Sequence, residues 1–536
     1  MYSAIVVIFD GCSVRSLRRA RTRCLRSIAE EGVFTFKCKS VLPSVTYTAH
    51  ASIVTGLYPE KHGIVGNCFY DRELNRIVDF DKVDANKYLF SKTVMEKIEG
   101  TKLCVGEPFT KGCDVVVSKK EIQTKPLFMQ DIYALNITME LMKKYRPVFT
   151  IVNLPGIDTI SEIYGPLSKK LISHLEKVDE TVCELKRVAS EVYDDYLLVI
   201  LADHGMVSVR KKVDLNKALK NTPAVICVSH RAAHMYFMEN IDVEEIAGKL
   251  RGDSRFELVI SGSKLSKYKL AHVRSGDIVV LAKKGYEIGR KDLKGSHGGL
   301  SEEEFHVPLI VNKPEFADLL IDSNITVVPR IVLRYLNEKE ALSTASKYLE
   351  KADPAHGLQH TLRVLNLATK LALKYRADVE AVRIASIFHD AGKGVCPENH
   401  ELKSAIIAEK FLRKKTYPET FIDKVKNIII KHHKESDKLE SVEEKILWDA
   451  DKLDALGLTG LFRCLLEAGF YGKTISDAIK HAKRDLKEFK NKMHFPETAR
   501  LAEIKEHNVV KCLEKFNKEL SYLCKRIRKI RLCLRV

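Results

Sequence analysis

Apolar residues follow two different patterns along the 536-residue chain. Up to about residue 325, short uninterrupted apolar runs recur: Ile5 to Phe9, Val148 to Leu154, Tyr196 to Leu201, Ala224 to Val228, Asp277 to Leu281 and Val307 to Val311. Continuous rather than alternating runs predict strands buried on both faces, as in a parallel sheet covered by helices. Amphipathic stretches such as Leu167 to Val192 would supply the cover. After Pro329 the strand-like runs stop. From Asn337 to about Leu520 the period is helical, punctuated by Gly, Pro and Asn. This predicts an α/β domain over 1–330, with mostly parallel strands, then an all-α domain over 338–520. A basic tail, 521–536, follows.

Composition narrows the class. Hydrophobic residues make up 45% and charged residues 30%, which excludes a disordered or low-complexity chain. No apolar run approaches the ~18 residues needed to span a bilayer. The first residues read as a core strand rather than a signal peptide, so a soluble, cytoplasmic protein is expected. The 13 cysteines form no CxxC pair, and reduced thiols are expected. A formal charge of +18 favours polyanionic partners without choosing among nucleotides, nucleic acid and anionic lipid. The tail Lys525 to Arg535 interleaves basic and apolar residues; a solvated helix face is favoured over a nucleic-acid contact. Oligomeric state is not legible.

Acidic residues stand where the first half's strands end: Asp10, Asp158 and Asp203, the last followed by His204. Ligands of open α/β sheets bind beyond the carboxyl ends of the strands. Three convergent carboxylates call for a cation, and His297 in a glycine-rich loop adds an imidazole. Mixed Asp/His ligation favours Zn²⁺ or Mn²⁺. The segments Pro43 to His50, Ile53 to Ile64 and Gly66 to Asp71 resemble the nucleotide pyrophosphatase/phosphodiesterase family of the alkaline phosphatase superfamily. That resemblance implies a Thr46 nucleophile that bridges two metals as a ligand, and a phosphate-binding Asn67. It implies one metal on Asp10, Asp203 and His204 beside Thr46, and another on Asp158, His297 and the residue four after Asp158. The family usually has His there; this chain has Glu162, which would shift the preference towards Mn²⁺ or Mg²⁺. Ser44 and Thr48 are competing hydroxyls, and His50 and His62 read as structural.

Four helical stretches bring His356 and His360, four residues apart, His389-Asp390 at a helix end, the His432-His433 pair, and Asp449, Asp451 and Asp454, a pattern suited to a metal centre in a bundle. This pattern resembles the HD superfamily of metal-dependent phosphohydrolases. That implies His360, His389, Asp390 and Asp451 as ligands of Mn²⁺, Mg²⁺ or another divalent cation, with Asp449 as register rival for the last. His432 or His433 would reach a second metal or a phosphate, and Lys393 would meet phosphate. The resemblances together imply a two-domain phosphohydrolase acting on nucleotides or related phosphoesters. The alternatives are a phosphonate hydrolase or phosphomonoesterase in the first half, or one half retained as a silent regulatory module.

Overall fold

The computed structural model describes residues 1–219, 222–238, 241–289 and 292–533, with side chains through 519 and at 521 and 522. The chain divides into two compact units, Met1–Leu336 and Asn337–Val536.

Unit one is built on a seven-stranded sheet. Its order is Val33–Lys39, His306–Val311, Asp195–Leu201, Tyr2–Ile8, Phe149–Asn153, Lys102–Val105 and Val115–Val117. The strands from Asp195–Leu201 through to Val115–Val117 pair in parallel; His306–Val311 runs antiparallel to both its neighbours. Ile8 is in register with Leu201 on one side and Asn153 on the other. Three central strands therefore end flush, and the residues just beyond them share one edge. Helix Lys169–Val192 buries Leu171, Leu175, Val178, Val182 and Leu185, the spacing that makes one apolar stripe, and packs on helix Gln130–Tyr145.

Two of the expected strands belong elsewhere. Val225–Ser229 and Ile278–Ala282 lie in a separate four-stranded antiparallel sheet with Ala232–Tyr236 and Phe256–Ser261. Apolar runs report burial, and this sheet has its own core around Met235, Val280 and Leu250, so the pattern does not separate the two sheets. The thiol expectation also needs correction: Cys104 and Cys113 form a disulfide. Their nine-residue separation brings the end of one strand to the loop before the next, which no CxxC search would find.

Unit two is helical. Helices Leu358–Lys374, Val379–Phe388, His400–Lys414, Glu419–Lys431 and Val442–Asp454 enclose a core that includes Val364, Val382, Ile384, Ala408, Ile428 and Leu447. A second cluster around Leu453, Leu461 and Ala502 gathers the later helices. Helix Pro496–Cys533 takes in the start of the basic segment, whose side chains lie outside the described residues. Among the described residues, no helix is long and apolar enough to cross a membrane.

Candidate active site and metal centres

The flush strand ends bring the acids together. Asp10 and Asp203 each lie two residues past their strands, and Asp158 sits in the first turn of helix Pro155–Tyr164, which follows Phe149–Asn153. Asn153 Nδ2 donates to Asp10 at 3.0 Å, and the Gly11 amide donates to Asp203 at 3.0 Å. Gly11 adopts φ +67°, and a Cβ there would fall 2.5 Å from Asp158 Oδ1. Glycine is therefore what allows this turn to pass between two carboxylates.

His204 Nε2 lies 3.6 Å from Asp10, 3.2 Å from Asp203 and 3.3 Å from Thr46 Oγ1. Thr46 opens helix Thr46–Thr55, an end whose amides and dipole favour anions. Ser44 instead donates to the Gly299 carbonyl, and Thr48 is fully buried. Asn67 Oδ1 accepts the Tyr47 amide at 3.2 Å, which leaves its NH₂ as the end that can serve a phosphate oxygen.

His297 Nε2 lies 3.8 Å from Asp158, and its ring stacks on His204 with centroids 3.7 Å apart. Both imidazoles use Nδ1 on a carbonyl, Gly205 for His204 and Ser44 for His297. Such partners orient Nε2 as a ligand atom. Burial and the neighbouring Glu162, Asp10 and Asp203 push the Asp158 carboxyl well above its usual range, and burial and Asp10 raise Asp203 to about 6. Asp10 Oδ1, Asp158 Oδ1, Asp203 Oδ2 and His297 Nε2 are buried without a hydrogen-bond partner. Buried, mutually repelling oxygens beside oriented imidazole nitrogens are the donor set a divalent cation requires. His50 lies behind them. Its Nδ1 meets Glu107 at 2.7 Å and its Nε2 is 3.6 Å from Asp203. Burial opposes charge on this ring, but Glu107, Asp203 and Asp10 hold its pKa up at about 9.

In unit two, His360 Nε2 lies 3.1 Å from His389 Nε2, 3.5 Å from Asp390 and 3.3 Å from Asp451. His360 Nδ1 meets Asp454 at 2.8 Å, and Arg363 and Arg463 clamp the same carboxylate. His389 Nδ1 donates to the Ser386 carbonyl at 2.8 Å, and burial holds its pKa down at about 3, leaving a neutral ring. Burial would raise Asp390, yet Lys393, 3.4 Å away, and the surrounding imidazoles hold it well below the carboxylate range. Its Oδ2 faces His360 and His389; its Oδ1 faces His400 at 3.5 Å and His432 at 3.8 Å. The two triads, His360–His389–Asp390 and Asp390–His400–His432, each have ligand atoms close enough for one ion.

A family model described as type I phosphodiesterase / nucleotide pyrophosphatase matches residues 4–306. The chain belongs to this family. A second model, the HD domain, matches residues 357–456. A Caenorhabditis elegans ectonucleotide pyrophosphatase/phosphodiesterase is 25% identical over 62% of this chain and 46% of its own length. Family member 1 from Homo sapiens is 31% identical over 38% of the chain and 23% of its own length, so the chain spans less than half of these relatives. Among solved structures, phosphonoacetate hydrolase from Sinorhizobium meliloti 1021 superposes with a TM-score of 0.53 at 21% identity, over 62% of this chain and 95% of that one. An inactive murine ectonucleotide pyrophosphatase/phosphodiesterase 5 in complex with AMP gives 0.53 at 18%, over 63% and 95%. These two likenesses establish the α/β fold. Both matching models describe phosphate-processing hydrolase families, and both of those families depend on divalent metals.

Within this family member, the structure separates the rival positions. Asp449 faces away from the HD-domain triads. Buried, it accepts from the amides of His494 and Phe495, from His494 Nδ1 at 2.6 Å and from Thr498 Oγ1. Two residues along a helix turn about 200°, so Asp449 and Asp451 cannot serve one site. Asp449→Ala is expected to cost about 3 kcal/mol by stranding those donors, a Tm loss of roughly 6–12 °C. Metal content, measured by plasma emission, should not change. His432 is buried in the second triad, while the exposed His433 lines the cavity beside it. His400, Asp454 and His230 were not among the expected site residues. His230 Nδ1 lies 3.2 Å from Glu162, and its ring centroid is 4.1 Å from that of His297. Asp454 was open to detection, because it stands one turn after Asp451 and so shares its face.

Proposed function

We propose that unit one hydrolyses nucleotide phosphodiester or pyrophosphate bonds through Thr46, and that the HD domain hydrolyses phosphate esters or anhydrides, of nucleotides, with activated water. The observation that carries the first reading is Thr46 Oγ1 at a helix N-terminus, against His204 and beside Asp10 and Asp203. Divalent cations, when bound, would supply the Lewis acidity that a threonine hydroxyl or a water needs near neutral pH. Asp10, Asp203 and His204 would hold one such ion, and Asp158, Glu162 and His297 another, with Zn²⁺ or Mn²⁺ best suited to the mixed donors. Thr46 Oγ1 would attack phosphorus as the opposite P–O bond breaks, and water would then hydrolyse the Thr46 ester. Asn67 would donate to a non-bridging oxygen as charge shifts onto it. A cavity of about 510 Å³ begins at Tyr47 and is lined by Phe80, Asp81, Lys119 and Lys120. Aromatic and basic groups next to the nucleophile suit a nucleotide. Names among the relatives agree in kind, including a murine bis(5'-adenosyl)-triphosphatase, 26% identical over 60% of this chain.

In the HD domain, His360, His389, Asp390 and Asp451 would hold a divalent cation, with Mn²⁺ or Mg²⁺ suited to the carboxylates. A cavity of about 300 Å³ opens there, lined by Lys393, Lys452, Arg463 and Arg484, which suits a substrate rich in phosphate. The test is a side-by-side assay of a chromogenic nucleotide diester, a monoester and a phosphonate, before and after chelation. The diester should be cleaved at least tenfold faster than the others, with activity lost on chelation and restored by Zn²⁺ or Mn²⁺. Faster phosphonate or monoester turnover would transfer unit one to those reactions.

A further inference from the structure

We infer that His230 is a ligand of the second cation site in unit one, supplying the imidazole nitrogen that Glu162 does not; this rests on the metal-dependent reading above. His230 stands in the two-residue turn between Val225–Ser229 and Ala232–Tyr236, a hairpin with Ser229 paired to Ala232. Its Nδ1 is 3.2 Å from Glu162 Oε1, and Glu162, His230 and His297 each offer a ligand atom within 4.8 Å of the others'. Two donors on one tetrahedral ion at ~2.0–2.1 Å stand ~3.3 Å apart, so the Glu162–His230 spacing matches a shared ion. His297 is fully buried, and its Nε2 has no hydrogen-bond partner.

The hairpin is held in place. The Arg231 amide donates to the His297 carbonyl at 2.9 Å, and the Arg231 guanidinium is buried on Glu304 and on the Ala282 and Tyr286 carbonyls. Gly298, at φ +116°, has the Ser229 carbonyl and the Arg231 amide 3.2–3.3 Å from where a Cβ would sit, so the glycine lets the turn approach the ligand loop. His230 itself has φ +56°, a conformation that costs a non-glycine residue and concentrates at functional sites. A turn with no other duty would favour Gly or Asn. With His230 included, the site holds two nitrogens and two carboxylates. That set suits Zn²⁺ or Mn²⁺ rather than the Mg²⁺ that an oxygen-rich site would favour.

The experiment titrates the metal-stripped full-length chain with Zn²⁺ by equilibrium dialysis, for wild type, Asp158→Asn, His230→Asn and His230→Gly. Asn tolerates positive φ, and Gly relieves it, so the fold is preserved in both His230 variants, as a thermal melt will show. The binding step that Asp158→Asn removes should weaken about 100-fold in both. Glu162→His in the His230→Asn background should recover it. A step that is lost in Asp158→Asn but unchanged in both His230 variants, with the Gly variant as stable or more so, overturns the ligand role and leaves the metal site standing. A wild-type chain with no step sensitive to Asp158→Asn overturns the metal reading and this inference together.

Discussion

Thr46→Ala is expected to lower kcat for a chromogenic nucleotide diester by on the order of 10⁴–10⁶-fold, the scale seen when a covalent nucleophile is removed. At 1.36 kcal/mol per decade this is about 5–8 kcal/mol of lost transition-state stabilisation. The substitution removes one hydroxyl, while Asp10, Asp203 and His204 keep their mutual geometry through Asn153, the Gly11 amide and the Gly205 carbonyl. Bound metal should therefore remain, and the effect should fall on kcat far more than on KM. Thr46→Ser keeps a nucleophilic oxygen and should lose less than about 10²-fold. Neither Ser44, committed to the Gly299 carbonyl, nor buried Thr48 can substitute. Full activity in Thr46→Ala, with Asp203→Asn inactive, would show that metal matters and that Thr46 is not the nucleophile.

The residues that were legible in the sequence are those whose positions follow from local rules. Asp10, Asp158 and Asp203 announce themselves because strands that pair in parallel with flush register must present their following residues on one edge. His360 is legible in the first turn of helix Leu358–Lys374, and the His389-Asp390 pair at the C-terminal end of helix Val379–Phe388. What escaped depends on tertiary approach. His230 is 68 positions from Glu162 and meets it only because the small antiparallel sheet folds its hairpin onto the His297 loop. His400 opens helix His400–Lys414, and only packing sets it 3.5 Å from Asp390. The choice between Asp449 and Asp451 required the phase of helix Val442–Asp454, which is fixed by what it packs against.

His389→Ala and Asp390→Ala are expected to abolish a nucleoside triphosphate- or monophosphate-directed activity, by at least about 10³-fold, while diester cleavage stays within a factor of about two. The geometry makes Asp390 the more damaging loss. One of its oxygens faces His360 and His389, the other His400 and His432, so its removal empties both triads of their shared carboxylate. His389→Ala leaves the Asp390–His400–His432 group intact and should retain more bound metal. Asp390→Asn keeps the shape of the side chain and removes the charge that Lys393 and the imidazoles require, which separates loss of chemistry from loss of fold. Thr46→Ala should do the reverse, losing diester cleavage and sparing the second activity. An assay matrix of these variants against diesters, triphosphates and monophosphates measures the independence directly. Each cluster carries its own carboxylates and imidazoles, with no residue in common, so the proposed function predicts two separable activities. Equal loss of one activity in Thr46→Ala and Asp390→Ala would make two independent sites untenable.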